Sequence, residues 1–195
     1  MEFQKIQLTK KNTLNLVFKN ENGDIVTVAG ANIAHKDMKA ALRALVPHIA
    51  LMTEQREVVN RTLKEVEKDR ITDANSQSVF KWMNVDCVVL ADDGSTFTLQ
   101  GTRILQSGSV IKIESPAVTV CDHDHYQYIS ELSLAVDAVI YEAEAYYKEA
   151  KWGLKEGSLD FGEDDPFNGK VTTDQVPEAD IKPAKAKKTK KQKVA

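Results

Sequence analysis

The dipeptide Asn22-Gly23 constrains this chain more than any other feature. It stands inside Asn20-Glu21-Asn22-Gly23-Asp24, after the alternating run Leu14, Leu16, Phe18 and before the β-branched run Ile25-Val26-Thr27-Val28. Asn-Gly reaches the left-handed backbone that a tight hairpin needs, so the two runs are expected to be antiparallel strands. Ile6 and Leu8 alternate with polar neighbours ahead of Lys10-Lys11-Asn12, which adds an earlier strand. A second block repeats the theme. Val79-Phe80-Lys81-Trp82 and Val85–Leu90 read as strand, Ala91-Asp92-Asp93-Gly94-Ser95 as a turn, and Thr96-Phe97-Thr98-Leu99 as the return. Val110–Ile113 and Val118–Val120 add short strands around Pro116. Gly23, Thr27, Gly30 and Ile33 match Gly94, Thr98, Gly101 and Ile104 without a gap. That echo reads equally as a duplication and as grammar that any two glycine-turn hairpins share.

Two long amphipathic stretches alternate with these blocks. Met38, Ala41, Leu42, Leu45, Ile49 and Met52 recur at three- and four-residue spacing, and the pattern runs on through Val59, Leu63 and Val66 to about Glu67. Pro47 must kink this helix or open a second one at its first turn. Residues 69–78 read as a loop. The second helix is expected from about Asp124 to Trp152, with Ile129, Leu132, Val136, Val139, Ile140, Ala143 and Tyr147 on its apolar face. Asp124 and Gln127 have the spacing of a capping box, and Gly153 and Gly157 are the candidate stops. The fold expected is α+β: antiparallel hairpins packed by two long helices over residues 1–157. An acidic linker, 158–181, and a Lys-rich disordered tail, 182–195, follow.

An apolar fraction of 42% suffices for a packed core. No apolar run approaches the ~20 residues of a membrane span, and Met1-Glu2-Phe3-Gln4-Lys5 lacks the layout of a signal peptide, so a cytoplasmic protein is expected. Cys87 and Cys121 then read as buried small hydrophobes. The net charge of −3 is unevenly spread. The body is mildly acidic, the linker strongly so, and residues 182–195 hold seven Lys and no acid. An acidic body argues against wrapping duplex DNA by charge alone. It leaves room for single-strand binding, where bases stack on aromatics beside local cations.

No phosphate-cradling Gly loop, Gly-x-Ser-x-Gly elbow or His-Glu-x-x-His helix occurs, so no catalytic residue and no cofactor are expected. His35 and His48 stand apart from any nucleophile or carboxylate pattern. Cys121-Asp122-His123-Asp124-His125 is rich in ligand types but lacks zinc-finger spacing, and reads as a polar helix start with no metal. The nucleic-acid candidates are Phe18, Lys19, Phe80, Lys81, Trp82, Phe97, Arg103 and Lys112, where rings for stacking neighbour cations for phosphates. Read as strand, Phe80 and Trp82 share one face and Lys81 takes the other, which suits a core strand as well as a stacking platform. Tyr141, Tyr146, Tyr147 and Trp152 read as core and rim of the last helix.

Past that helix lies Leu159-Asp160-Phe161-Gly162-Glu163-Asp164-Asp165-Pro166-Phe167. Clustered carboxylates, Gly and Pro punctuation and a Pro-Phe end make a docking peptide. The tract resembles the acidic tip of bacterial and phage single-stranded DNA-binding proteins, which recruits replication and repair partners. In that family Phe is the last residue; here the chain continues to Ala195. The resemblance implies partner docking by Asp160, Glu163, Asp164, Asp165, Pro166 and Phe167. The function expected is a non-enzymatic accessory of DNA replication or recombination, of the kind phages encode, that binds single-stranded DNA. The alternative is a virion-type assembly protein that forms homo-oligomers through hairpin edges and amphipathic helices.

Overall fold

The computed structural model describes residues 1–70, 78–92, 94–120 and 126–153. The chain divides into two units, Met1–Ser158 and Leu159–Ala195. All described residues lie in the first; the acidic tract, the Lys-rich tail, Gly157 and the Cys121–His125 cluster fall outside the described residues.

The fold is α+β, built on an antiparallel sheet. Strands β1 (Glu2–Leu8), β2 (Thr13–Lys19), β3 (Ile25–Ile33), β4 (Met83–Leu90), β5 (Thr96–Ile104) and β6 (Val110–Glu114) line up as β3-β2-β1-β4-β5-β6, and the two-residue β7 (Val118–Thr119) also pairs with β5. Local turn chemistry makes the hairpins. Gly23 sits at φ 84°, its N–H bonds the Asn20 carbonyl at 3.0 Å, and Asn20 Oδ1 accepts from the N–H groups of Asn22 and Asp24. Asn12 at φ 59° and Gly108 at φ 82° close the β1–β2 and β5–β6 turns in the same way.

Two irregularities keep one face of the sheet apolar. In β1 the buried residues are Phe3 and then Ile6, and the register shifts between Phe3 and Lys5. In β4, Met83 and Val85 face the core, and so do Val88 and Leu90, with a shift between Val85 and Cys87. Each extra residue flips the phase of the alternation, which a regular strand cannot do. Cys87 falls opposite Gln7 and Gln100, and it is buried.

Helices cover that apolar face. The long first helix expected from the sequence is broken: α1 (Lys36–Ala44), α2 (Val46–Met52), a 3-10 turn (Arg56–Val58) and α3 (Leu63–Lys68) follow one another. Pro47 occupies the first turn of α2, where its missing N–H costs nothing. Glu54 then turns left-handed at φ 48° and ends the run. After the one-turn α4 (Val79–Trp82), the second long helix forms as α5 (Ile129–Lys148), starting later than expected. Its stop is not Gly153: Ala150, at φ 55°, takes the left-handed position. Gly153 instead lies against the Ala34 carbonyl, and its N–H bonds Ile33 at 2.7 Å. Met38, Leu42, Leu45 and Ile49 of α1 and α2 join Ile129, Leu132, Val136 and Val139 of α5 in one core over β1, β2, β4 and β5. Among the described residues, no helix is long and apolar enough to cross a membrane.

Candidate nucleic-acid interface

The other face of the sheet carries the polar half of each strand's alternation. Gln7 of β1, Asn15 of β2, Gln100 and Thr102 of β5, and Lys112 and Glu114 of β6 line one recess of about 580 Å3, with Lys10 and Asp86 at its rim. Cross-strand pairing aligns them: Gln7 lies opposite Asn15, Gln100 opposite Glu114, and Thr102 opposite Lys112. Gln100 donates to Glu114 at 3.2 Å. Burial raises the pKa of Asp86, against the pull of Lys112. Two carboxylates face two ammonium groups here, so the recess offers hydrogen bonds more than net charge.

A second recess, of about 180 Å3, adjoins the first at Thr102. Arg43, Phe80, Lys81, Trp82, Asn84 and Ile104 form its walls. The guanidinium of Arg43 lies 5.5 Å from the Phe80 ring centre, and the Lys81 ammonium 5.1 Å from that of Trp82. Cations over aromatic faces at this range are held by the ring quadrupole. Ile104 and its cross-strand partner Val110 are exposed beside it.

The expected residues sort plainly. Phe80, Lys81 and Trp82 come together in the second recess, but not as a strand: Val79–Trp82 is a short helix, α4, so the rings do not share a strand face. Both rings are partly buried and pack against the core. Lys112 lines the first recess instead, opposite Thr102. Phe18 and Phe97 are core residues on the helix-covered face. Phe18 sits edge-on to Phe3 and Tyr147, with centroids 5.6 and 5.1 Å apart. Neither ring reaches a base without unfolding the sheet. Arg103 is buried too, and its fork grips Glu57 at 2.7 and 3.0 Å and also bonds Gln55. Burial alone would raise the Glu57 carboxyl, yet the hydrogen bonds from Arg103 and Arg56 bring its pKa down to about 2. Lys19 is paired with Asp92 at 2.9 Å.

The sequence reading passed over Arg43, Asn84 and the polar residues Gln7, Asn15, Gln100 and Thr102. All but Arg43, which belongs to α1, occupy polar positions of alternating strands. His35 caps α1, accepting the Asp37 N–H at Nδ1, 3.3 Å away. His48 is buried against Tyr126, with Nδ1 2.9 Å from the hydroxyl. The six docking residues from Asp160 to Phe167 lie outside the described residues. No protein-family model, curated protein or solved structure matches the chain.

Proposed function

We propose that the chain is a non-enzymatic single-stranded DNA-binding accessory protein. The uncovered sheet face is its strand-binding surface, and the tract 159–167 docks protein partners. One observation supports this reading: the aromatic and cationic recess around Phe80, Lys81 and Trp82 shares the wall residue Thr102 with the polar recess of the sheet face. A single strand laid along both meets rings for its bases, amides and hydroxyls for their edges, and Lys81, Lys112 and Lys10 for its phosphates. The test is a titration with fluorescent oligo-dT at two salt concentrations, beside duplex of equal length. Salt-sensitive binding that prefers the single strand is expected. Trp82→Ala should cost about 1–3 kcal/mol, the worth of one stacked base. Lys112→Ala should reduce the logarithmic salt slope by about 0.7, as for one phosphate contact. Absence of binding at low salt overturns the reading.

A second reading, assembly of copies through a sheet edge, has its own support. Strand β3 ends the sheet order, and its nine residues contain no charge and no proline. Such an edge invites another strand. Light scattering decides it: a multimer that Thr27→Lys converts to monomer favours assembly, and a monomeric wild type removes it.

A further inference from the structure

The end of the described chain is held by an ion cluster between α1 and α5. The Lys151 ammonium lies 2.9 Å from Asp37 Oδ2 and 2.8 Å from Glu142 Oε1. His35 Nδ1 is 3.2 Å from the same Asp37 oxygen. One ligand atom from each of His35, Asp37 and Glu142 lies within 4.8 Å of the other two. His35 is the N-cap of α1, Asp37 belongs to its first turn, and Glu142 comes from α5, so the packing of the two helices sets the group.

Two features go beyond a salt bridge. The side chain of Glu142 is only 11% exposed, and its second oxygen, Oε2, is sealed from solvent with no hydrogen-bond partner. A buried carboxylate oxygen left without a partner is costly, so it favours any cation able to reach it. The donor set is also mixed. One imidazole nitrogen and two carboxylates suit a first-row divalent cation of the zinc class. The place is already a cation site, since the chain's own ammonium stands in it.

We infer that His35, Asp37 and Glu142 form a zinc-class divalent-cation site, for which the Lys151 ammonium is a tethered competitor. Ligand atoms around a tetrahedral zinc with bonds of about 2.1 Å lie about 3.4 Å apart. Side-chain rotation of about an ångström from the present spacing closes the group, and water takes the fourth position. The metal replaces one positive charge by two between the carboxylates. His35 gives up only a long bond to the Asp37 N–H. Lys151 is released to solvent, and Trp152 feels the change. Its indole bonds the Tyr146 carbonyl at 3.3 Å, and its backbone bridges to Ala34.

Calorimetric titration of the full chain with zinc chloride at neutral pH tests this, on wild type and on His35→Ala, Glu142→Gln and Lys151→Met, with circular dichroism as the check on folding. One zinc per chain is expected. His35→Ala and Glu142→Gln should weaken binding at least about tenfold, the scale on which even supporting residues of metal sites act. Lys151→Met should tighten it by a similar factor, because the internal competitor is gone. In a Trp82→Phe background, zinc should shift the emission of Trp152. A merely structural salt bridge predicts no gain on removing Lys151. Equal affinity of wild type and His35→Ala, which puts the zinc elsewhere such as on residues 121–125, overturns the inference. Unchanged affinity in Lys151→Met overturns it too, as does no binding by either protein. If Glu142→Gln does not fold, the other two variants decide.

Discussion

His48 should make this protein acid-labile well above the usual carboxylate range. The side chain is 2% exposed, and its Nδ1 lies 2.9 Å from the Tyr126 hydroxyl. Burial drives its pKa from 6.5 down to about 4, against the opposing pull of the Glu131 charge. Burial also pushes the Tyr126 hydroxyl far up, so it stays a phenol hydrogen-bonded to a neutral imidazole. The folded state therefore refuses a proton that the unfolded chain accepts. Stability from this group is whole above pH 6.5 and declines as the pH falls toward 4, where the loss saturates. The full shift is worth about 3 kcal/mol, and the part between pH 7 and pH 5 about 2 kcal/mol. Urea unfolding at a series of pH values reads it directly. His48→Gln keeps a hydrogen-bonding group for Tyr126 and cannot titrate. The other histidines are common to both proteins, so they cancel in the difference of slopes. Wild type should lose about 2 kcal/mol more than the variant over that interval, which for a domain of this size is about 4–8 °C in Tm. Parallel pH profiles for the two proteins would refute the reasoning, because they would mean that the folded state takes up the proton as readily as the unfolded chain.

Two further outcomes concern a buried ion pair and a helix end. Arg103→Ala should cost up to about 3–5 kcal/mol by urea denaturation, because it leaves the buried Glu57 carboxylate with Arg56 as its charged partner; a loss under 1 kcal/mol would mean that Arg56 and water suffice for Glu57. Ala150→Gly should stabilise by about 0.5–1 kcal/mol, since the left-handed backbone there suits glycine; a lower Tm would show that the Ala150 methyl packs usefully.

What the sequence made legible was local, and what it hid was tertiary. The hairpins could be read because Asn22-Gly23 and Gly94 dictate a turn whatever surrounds them. Helix α5 could be read because its apolar residues keep one period for five turns. The stretch from Met38 to Glu67 kept nearly the same period, but the chain breaks at Glu54, and Glu57 is drawn away by an arginine far along the sequence. Arg103 illustrates the limit for the site as well. An arginine on a strand beside aromatic residues looks the same in sequence whether it meets a phosphate or a buried carboxylate. Its partner Glu57 sits in a segment that reads as helix, so nothing local marks the pair. Phe80-Lys81-Trp82 is too short for periodicity to separate strand from helix. The alternation of β4 misleads in its own way, since the shift between Val85 and Cys87 lets odd and then even positions face the core.

The echo between the two hairpins has a physical content that bears on assembly. Strands β3 and β5 each run nine residues, and each begins two residues past its turn glycine. Gly30 and Gly101 fall at matching positions. An added Cβ would run into the Leu14 carbonyl at the first and the Asn84 carbonyl at the second. Each hairpin also shifts register near that close approach, at Thr13/Asn15 and at Val85/Cys87. The same bent hairpin thus occurs on both sides of β1. The two copies differ on their outer sides. Strand β5 is covered by β6 and β7, whereas β3 has no strand beyond it among the described residues. Among the described residues its far end is guarded, where Tyr146 bonds the Asn32 carbonyl and Gly153 bonds Ile33. An uncharged strand whose counterpart is fully paired is the natural place for one more strand. The strand-binding reading does not require that edge, so the solution mass of Thr27→Lys beside wild type separates the two readings: a shared monomeric mass assigns β3 to the sheet's own stability alone.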